Sequence, residues 1–148
     1  MHRKFVLLVE DSPDDVELIL RALSRSYTTV EVIVAHDGVE ALSFLFGTGA
    51  YAERNMSVMP AVVFLDLKLP RINGFEVLER IRSDERTKLL PVVILTSSNE
   101  EKDLIRSYEL GANSYVCKPV DFTELSDVIR QLGSYWLFLN ESPMEENE

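Results

Sequence analysis

Five side chains in this sequence combine into one chemistry: Glu10 and Asp11, Asp66, Thr96, and Lys118. Each stands at the end of a short apolar run. Asp66 lies in PAVVFLDLKLP, where residues 61–65 run directly into it. A carboxylate at the exit of a buried strand is costly unless a cation or a metal meets it. Taken alone, Asp66 could equally cap the next turn. Capping would also account for Asp11, and Thr96 could be a plain turn residue. Lys118, placed just before Pro119, has no such local explanation. Three clustered carboxylates repel one another and raise each other's pKa. A hard divalent cation removes the conflict, and Mg²⁺ takes oxygen ligands from one or two carboxylates plus phosphate oxygens. No histidine joins the strand ends except a lone His36, and Cys117 is a single thiol, which argues against zinc. Around a phosphoryl group, lysine supplies a point charge and threonine a hydroxyl donor. Asp66 can then act as a nucleophile and become an aspartyl phosphate. Phosphoryl transfer needs mainly positioning and charge neutralisation, so few groups suffice. No GxxxxGK[ST] loop occurs, which disfavours a nucleotide triphosphatase.

The elements that must position these residues can be read in order. KFVLLVE (4–10) is a buried-strand run. Ser12 as a cap, Pro13 at the first helical position, and Asp14 and Asp15 in the first turn then open a helix. Its apolar face is Val16, Ile19, Leu20 and Leu23. TVEVIVA (29–35) predicts a second strand. Asp37 with Glu40 has capping-box spacing before Ala41, Leu42 and Leu45. Residues 47–59 lack a clear period and form the longest predicted loop. The strand carrying Asp66 follows, bounded by Pro60 and Pro70. Asn73 with Glu76 opens a third helix that turns Val77, Leu78 and Ile81 inward.

PVVIL (91–95) predicts a fourth strand ending at Thr96. Ser98 and Glu101 bracket the next helix, which is expected to bury Leu104, Ile105 and Tyr108 and to end at a left-handed Gly111. Asn113 suits the turn before a short strand, SYVC (114–117). Asp121 with Glu124 caps a last helix. Phe122, Leu125, Val128, Ile129, Leu132, Tyr135, Trp136 and Leu139 recur there at helical spacing. It should fray near Asn140. Five β-α repeats predict an α/β fold: a doubly wound parallel sheet with helices on both faces. Such sheets bind ligands beyond the carboxyl ends of their strands, where the five chemical residues fall.

Composition narrows the partners. The 148 residues suit one domain. We divide them into residues 1–140 as that domain and residues 141–148 as an acidic tail expected to be disordered. A net charge of −10 does not suit nucleic-acid binding. No apolar run approaches the roughly 20 residues that span a bilayer. The opening MHRKFVLLV is too short for a signal peptide and is broken at once by Glu10 and Asp11. A single cysteine excludes an internal disulfide and fits a reducing, cytoplasmic setting.

VEDSPDD, FLDLKLPRINGFEVL, PVVILTSS and GANSYVCKPVDFTEL, in that order, make the chain resemble the receiver domain of two-component response regulators. The resemblance spans essentially residues 4–139. It implies a five-stranded, flavodoxin-like sheet of order 2-1-3-4-5. It also implies that Asp66 is the phospho-acceptor, fed by a histidine kinase or phosphotransfer protein in a phosphorelay. Glu10, Asp11, Asp66 and the backbone carbonyl of Lys68 would hold Mg²⁺. Thr96 and Lys118 would grip the phosphoryl oxygens. Tyr115 would be the switch aromatic, which otherwise reads as a half-exposed strand residue. Lys68 and Ser98 would tune phosphoryl lifetime, and the Lys118–Pro119 peptide would be cis. The pair Glu10-Asp11 departs from the Asp-Asp that is also common, and a longer Glu could act through water.

The segment 47–59 with AYAERN, together with KPVDFTEL and SYWLFLN, further resembles the single-domain response regulators that partner bacterial phytochromes. That implies a light-regulated kinase as donor. It also implies a homodimer through the fourth helix, fifth strand and last helix. The resemblance implies a signalling switch rather than a metabolic enzyme. Two other readings remain open. One is a hydrolase with Asp66 as nucleophile, for which the chain leaves no room for a cap domain. The other is a phosphate-independent interaction module on the receiver fold, which the intact five-residue set argues against.

Overall fold

The computed structural model describes residues 4–26 and 30–144. Strands β1 (Phe5–Val9), β2 (Glu31–Ala35), β3 (Val62–Leu65), β4 (Val92–Thr96) and β5 (Ser114–Cys117) alternate with five helices. These are α1 (Pro13–Ser26), α2 (Gly38–Phe46), α3 (Gly74–Arg82), α4 (Glu101–Glu109) and α5 (Phe122–Gly133). The strands are all parallel, in the order β2-β1-β3-β4-β5. The predicted doubly wound sheet is the one observed. Thr29, the expected start of the second strand, lies outside the described residues.

Every residue of β1, β3 and β4 is buried, as continuous apolar runs require when helices cover both faces. One core, between the sheet and α2 and α3, gathers Leu7, Leu45, Leu65, Leu78 and Ile94. The other, toward α1 and α5, gathers Val6, Ile19, Phe64, Leu125 and Ile129. The predicted caps form. Asp37 Oδ1 accepts from Glu40 N at 2.7 Å, Asn73 Oδ1 from Glu76 N at 3.0 Å, and Asp121 Oδ1 from Thr123 N at 2.8 Å. Each such cap is worth about 1 kcal/mol.

The loop at 47–59 holds one short 3₁₀ turn, Gly49–Tyr51. Arg54 anchors it. Its guanidinium lies 4.2 Å over the Phe44 ring and donates to the Val58 carbonyl at 2.7 Å.

Two expectations about the surface fail. Leu104, Ile105 and Tyr108 are exposed, and α4 buries only Ser107. Periodicity placed the three on one face of α4, but among the described residues no neighbouring element covers that face. Beyond α5, residues Ser134–Leu139 wind as a π-helix, closed by Asn140 N on the Tyr135 carbonyl. The wider turn changes the register. Leu137 is fully buried and Trp136 half-buried, while Tyr135, Phe138 and Leu139 face outward. Met144 packs on the α2–α3 core. The rest of the expected acidic tail, residues 145–148, lies outside the described residues.

The strand ends are held level by main-chain bonds one step past the strands themselves. Asp66 N donates to Val9 O at 3.1 Å, Glu10 N to Ala35 O at 3.0 Å, and Lys118 N to Thr96 O at 2.6 Å. The sequence-distant residues are therefore presented side by side on one edge.

Candidate functional site

Asp66 leaves β3 with 6% exposure, and Glu10 leaves β1 with 1%. Asp11 beside it is exposed. Each of the three offers a carboxylate oxygen, and these oxygens all lie within 4.8 Å of one another. An all-oxygen cluster of three acidic side chains suits a hard divalent cation. His36 is exposed, with its main-chain N–H on Glu40 Oε1, and stands outside this set. Lys68 follows Asp66 by two residues and is also exposed.

Lys118 reaches in from β5 with its side chain 7% exposed. Its ammonium donates to Glu10 Oε1 at 2.7 Å, Asp15 Oδ2 at 2.9 Å and Asp66 Oδ2 at 3.4 Å. Asp66 Oδ1 accepts from Leu67 N at 2.7 Å, so one oxygen is tied to the backbone and the other faces the lysine. Burial pushes the Glu10 carboxyl up to about 7, with the charge of Asp66 adding to the rise. Hydrogen bonds from Lys118 and Ser12 N oppose that shift. Burial by itself would lower the Lys118 ammonium. Its bonds to Glu10 and Asp15 and the charge of Asp66 outweigh burial, and the net shift is upward. The ammonium therefore stays charged.

The Lys118–Pro119 peptide is trans, since no cis bond occurs among the described residues. The expected cis bond is thus corrected. The trans preference at an X–Pro bond is small, about 0.5–1 kcal/mol, so context decides. Here the trans form coexists with Lys118 N on the Thr96 carbonyl and with the ammonium inside the acid cluster.

Thr96 is fully buried, and its Oγ1 accepts from Ser98 N at 3.3 Å. Ser98 is buried too and donates from Oγ to Asp103 Oδ2 at 2.6 Å. Tyr115 is half-buried, and its hydroxyl donates to the Ser98 carbonyl at 2.9 Å. Burial raises the phenol's pKa. Thr96, Ser98, Asp103 and Tyr115 are thereby linked through the turn between β4 and α4.

Gly74 closes the far side of the site. Its N–H donates to Leu67 O at 2.9 Å, and a Cβ built on it would lie 2.2 Å from the Asp66 carbonyl oxygen. Only glycine lets α3 begin this close to the acid's backbone.

The fold brings Glu10, Asp11, Asp66 and Lys118 together and sets Thr96 at the end of the adjoining strand. Sequence reasoning overlooked Asp15 and Asp103. Asp15 reads as a first-turn helix acid, a sufficient local reason for an acidic residue. The one available signal was the surplus of acids in VEDSPDD.

Residues 6–130 match the model of the response regulator receiver domain family. The response regulator Rcp1 of Synechocystis sp. is 40% identical over 134 residues, covering 90% of this chain and 89% of that protein. The structure of its Mn²⁺-bound form superposes with a TM-score of 0.88 at 38% identity, covering 95% of this chain and 99% of that one. The phosphorylated cyanobacterial phytochrome response regulator RcpA gives a TM-score of 0.90 at 37% identity, covering 96% and 99% of the two chains. The bacteriophytochrome response regulator RtBRR gives 0.76 at 50% identity, covering 96% and 85%.

Proposed function

The chain belongs to the response regulator receiver domain family, and from that premise we propose that it is a phosphorylation switch in which Asp66 accepts the phosphoryl group of a histidine kinase. The observation that carries the reading is Asp66 itself: a buried carboxylate within 4.8 Å of two others, with the Lys118 ammonium at 3.4 Å. In the transfer, an Asp66 oxygen attacks phosphorus and forms a P–O bond while the donor's P–N bond breaks. The freed histidine nitrogen keeps the electron pair and takes a proton. Lys118 neutralises oxygens of the incoming group. Thr96 offers its hydroxyl, and the buried setting limits water. Glu10, Asp11, Asp66 and the Lys68 carbonyl would hold Mg²⁺, which supplies charge neutralisation at the phosphoryl oxygens.

Tyr115 is the aromatic through which the site is read out. Its bond to the Ser98 carbonyl couples it to the turn that carries Thr96. Lys68 and Ser98, each two residues past a site residue, tune the lifetime of the phosphoryl group. The donor is a phytochrome-type kinase, a reading supported by the similarity to the phytochrome response regulators RcpA and RtBRR. The partner surface is the α4–β5–α5 face, where Leu104, Ile105, Tyr108, Val120 and Phe122 are exposed. A second copy of this chain is the occupant we favour, since patches of this kind mark interaction sites. Among the described residues no helix is long and apolar enough to cross a membrane, and we place the protein in the cytoplasm.

The test is direct. Wild type and Asp66→Asn are incubated with MgCl₂ and phosphoramidate and followed by intact mass. One phosphoryl adduct on the wild type and none on the variant is expected. No adduct on the wild type, or equal adducts on both, would defeat the reading.

A further inference from the structure

One ionic contact in the site has no role in the scheme above. An ammonium has three donors, and Lys118 directs them at Glu10, Asp66 and Asp15. Glu10 and Asp66 belong to the trio whose oxygens can share a cation, and Asp15 does not. It comes instead from the first turn of α1 and bonds to the lysine at 2.9 Å with 23% side-chain exposure. Its placement is fixed from two sides. Asp15 N donates to Ser12 Oγ at 3.4 Å, and Ser12 N donates to Glu10 Oε2 at 3.1 Å. The helix start is thus tied to the acid at the end of β1. A carboxylate in a first turn is also favoured by the helix dipole.

We infer that Asp15 is a positioning residue that holds the Lys118 ammonium beside Asp66 when Glu10 turns its charge toward a cation. The inference rests on the reading of Asp66 as phospho-acceptor. Lysine carries its charge on a flexible four-carbon stem, so its head group must be held in place. Of its three anionic partners, two are shared with the cation cluster, and only Asp15 is left to the lysine alone. Without it the ammonium spends less time where the phosphoryl oxygens arrive. A misplacement of about 1 Å costs up to roughly 100-fold in rate, and for a group that keeps one partner we expect about tenfold.

The test is a double-mutant cycle on the full chain. Asp15→Ala is made in the wild type and in Lys118→Ala, and adduct formation from phosphoramidate with MgCl₂ is followed by intact mass. Asp15→Ala should slow the reaction about tenfold with Lys118 present and less than about twofold without it, because the two residues act through one contact. Asp15→Glu should recover part of the loss. Asp15→Asn, isosteric and uncharged, should also slow the reaction, which guards against a folding artefact. Equal slowing in both backgrounds, or full rates for Asp15→Ala and Asp15→Asn, overturns the positioning role while leaving Asp66 as acceptor. A wild type that takes no phosphoryl group overturns both.

Discussion

Replacing Lys118 by Met should convert the site from neutralised to self-repelling while keeping the apolar stem of the side chain. Glu10 and Asp66 are 1% and 6% exposed, and their oxygens lie within 4.8 Å of each other. Two unit charges at that distance repel by about 3 kcal/mol at an effective dielectric near 20. Breaking a buried pair by removing one partner costs about 3–5 kcal/mol in comparable cases. We therefore expect Lys118→Met to lose about 3–5 kcal/mol at pH 8 in the presence of a chelator, read from urea unfolding at matched slopes. The deficit should depend on pH in a defined direction. The folded Glu10 carboxyl is raised from 4.5 to about 7. A raised carboxyl contributes stability fully below its unfolded pKa and loses it as pH rises through the folded one. Without Lys118, which lowers that value, the shift becomes larger, so the deficit should shrink toward pH 4.5 and grow above pH 7. Magnesium should stabilise the variant more than the wild type, because ammonium and cation neutralise the same carboxylates. A variant as stable as wild type at pH 8 without divalent ions would refute the reasoning. So would a deficit of equal size at pH 5 and pH 8.

Three further outcomes are expected. Gly74→Ala drives a Cβ to 2.2 Å from the Asp66 carbonyl oxygen and 2.7 Å from Leu67 Cα. Both are backbone atoms that cannot step aside, so about 1–3 kcal/mol of stability should be lost, together with slower adduct formation at Asp66; unchanged unfolding would contradict the close approach. Lys68→Ala should change the rate at which the phosphorylated protein loses its adduct, followed by mass after donor removal, and an identical rate sinks the tuning role. Phe122→Glu places a charge on the exposed α4–β5–α5 face. It should shift sedimentation toward monomer without altering phosphorylation, whereas an unmoved oligomeric state would discard that face as the contact.

Local physics made most of this protein legible in its sequence. Continuous apolar runs, such as the one bounded by Pro60 and Pro70, identify buried strands, because a strand covered on both faces needs no polar alternation. Asp37, Asn73 and Asp121 announce helix starts, since each satisfies main-chain donors a few residues away. The acids and the lysine betray the site because charged groups at buried strand ends need partners. What remained hidden depends on contacts between distant elements. Asp15 and Lys118 are 103 residues apart, and nothing nearby in sequence tells a capping acid from one that reaches a lysine.

The exposed Leu104, Ile105 and Tyr108 show the same limit. Helical period says which residues share a face, and only the packing of neighbours says whether that face is covered. The π-helix at Ser134–Leu139 is a third case. One wide turn puts Leu137 into the core and turns Tyr135 and Leu139 out of it, against a 3.6-residue reading. Residue type and spacing thus determined the fold class and the chemistry of the strand ends. Tertiary structure decided which acid meets the lysine, which faces stay bare, and that Lys118–Pro119 is trans, because these follow from free-energy differences between whole arrangements rather than from any local preference.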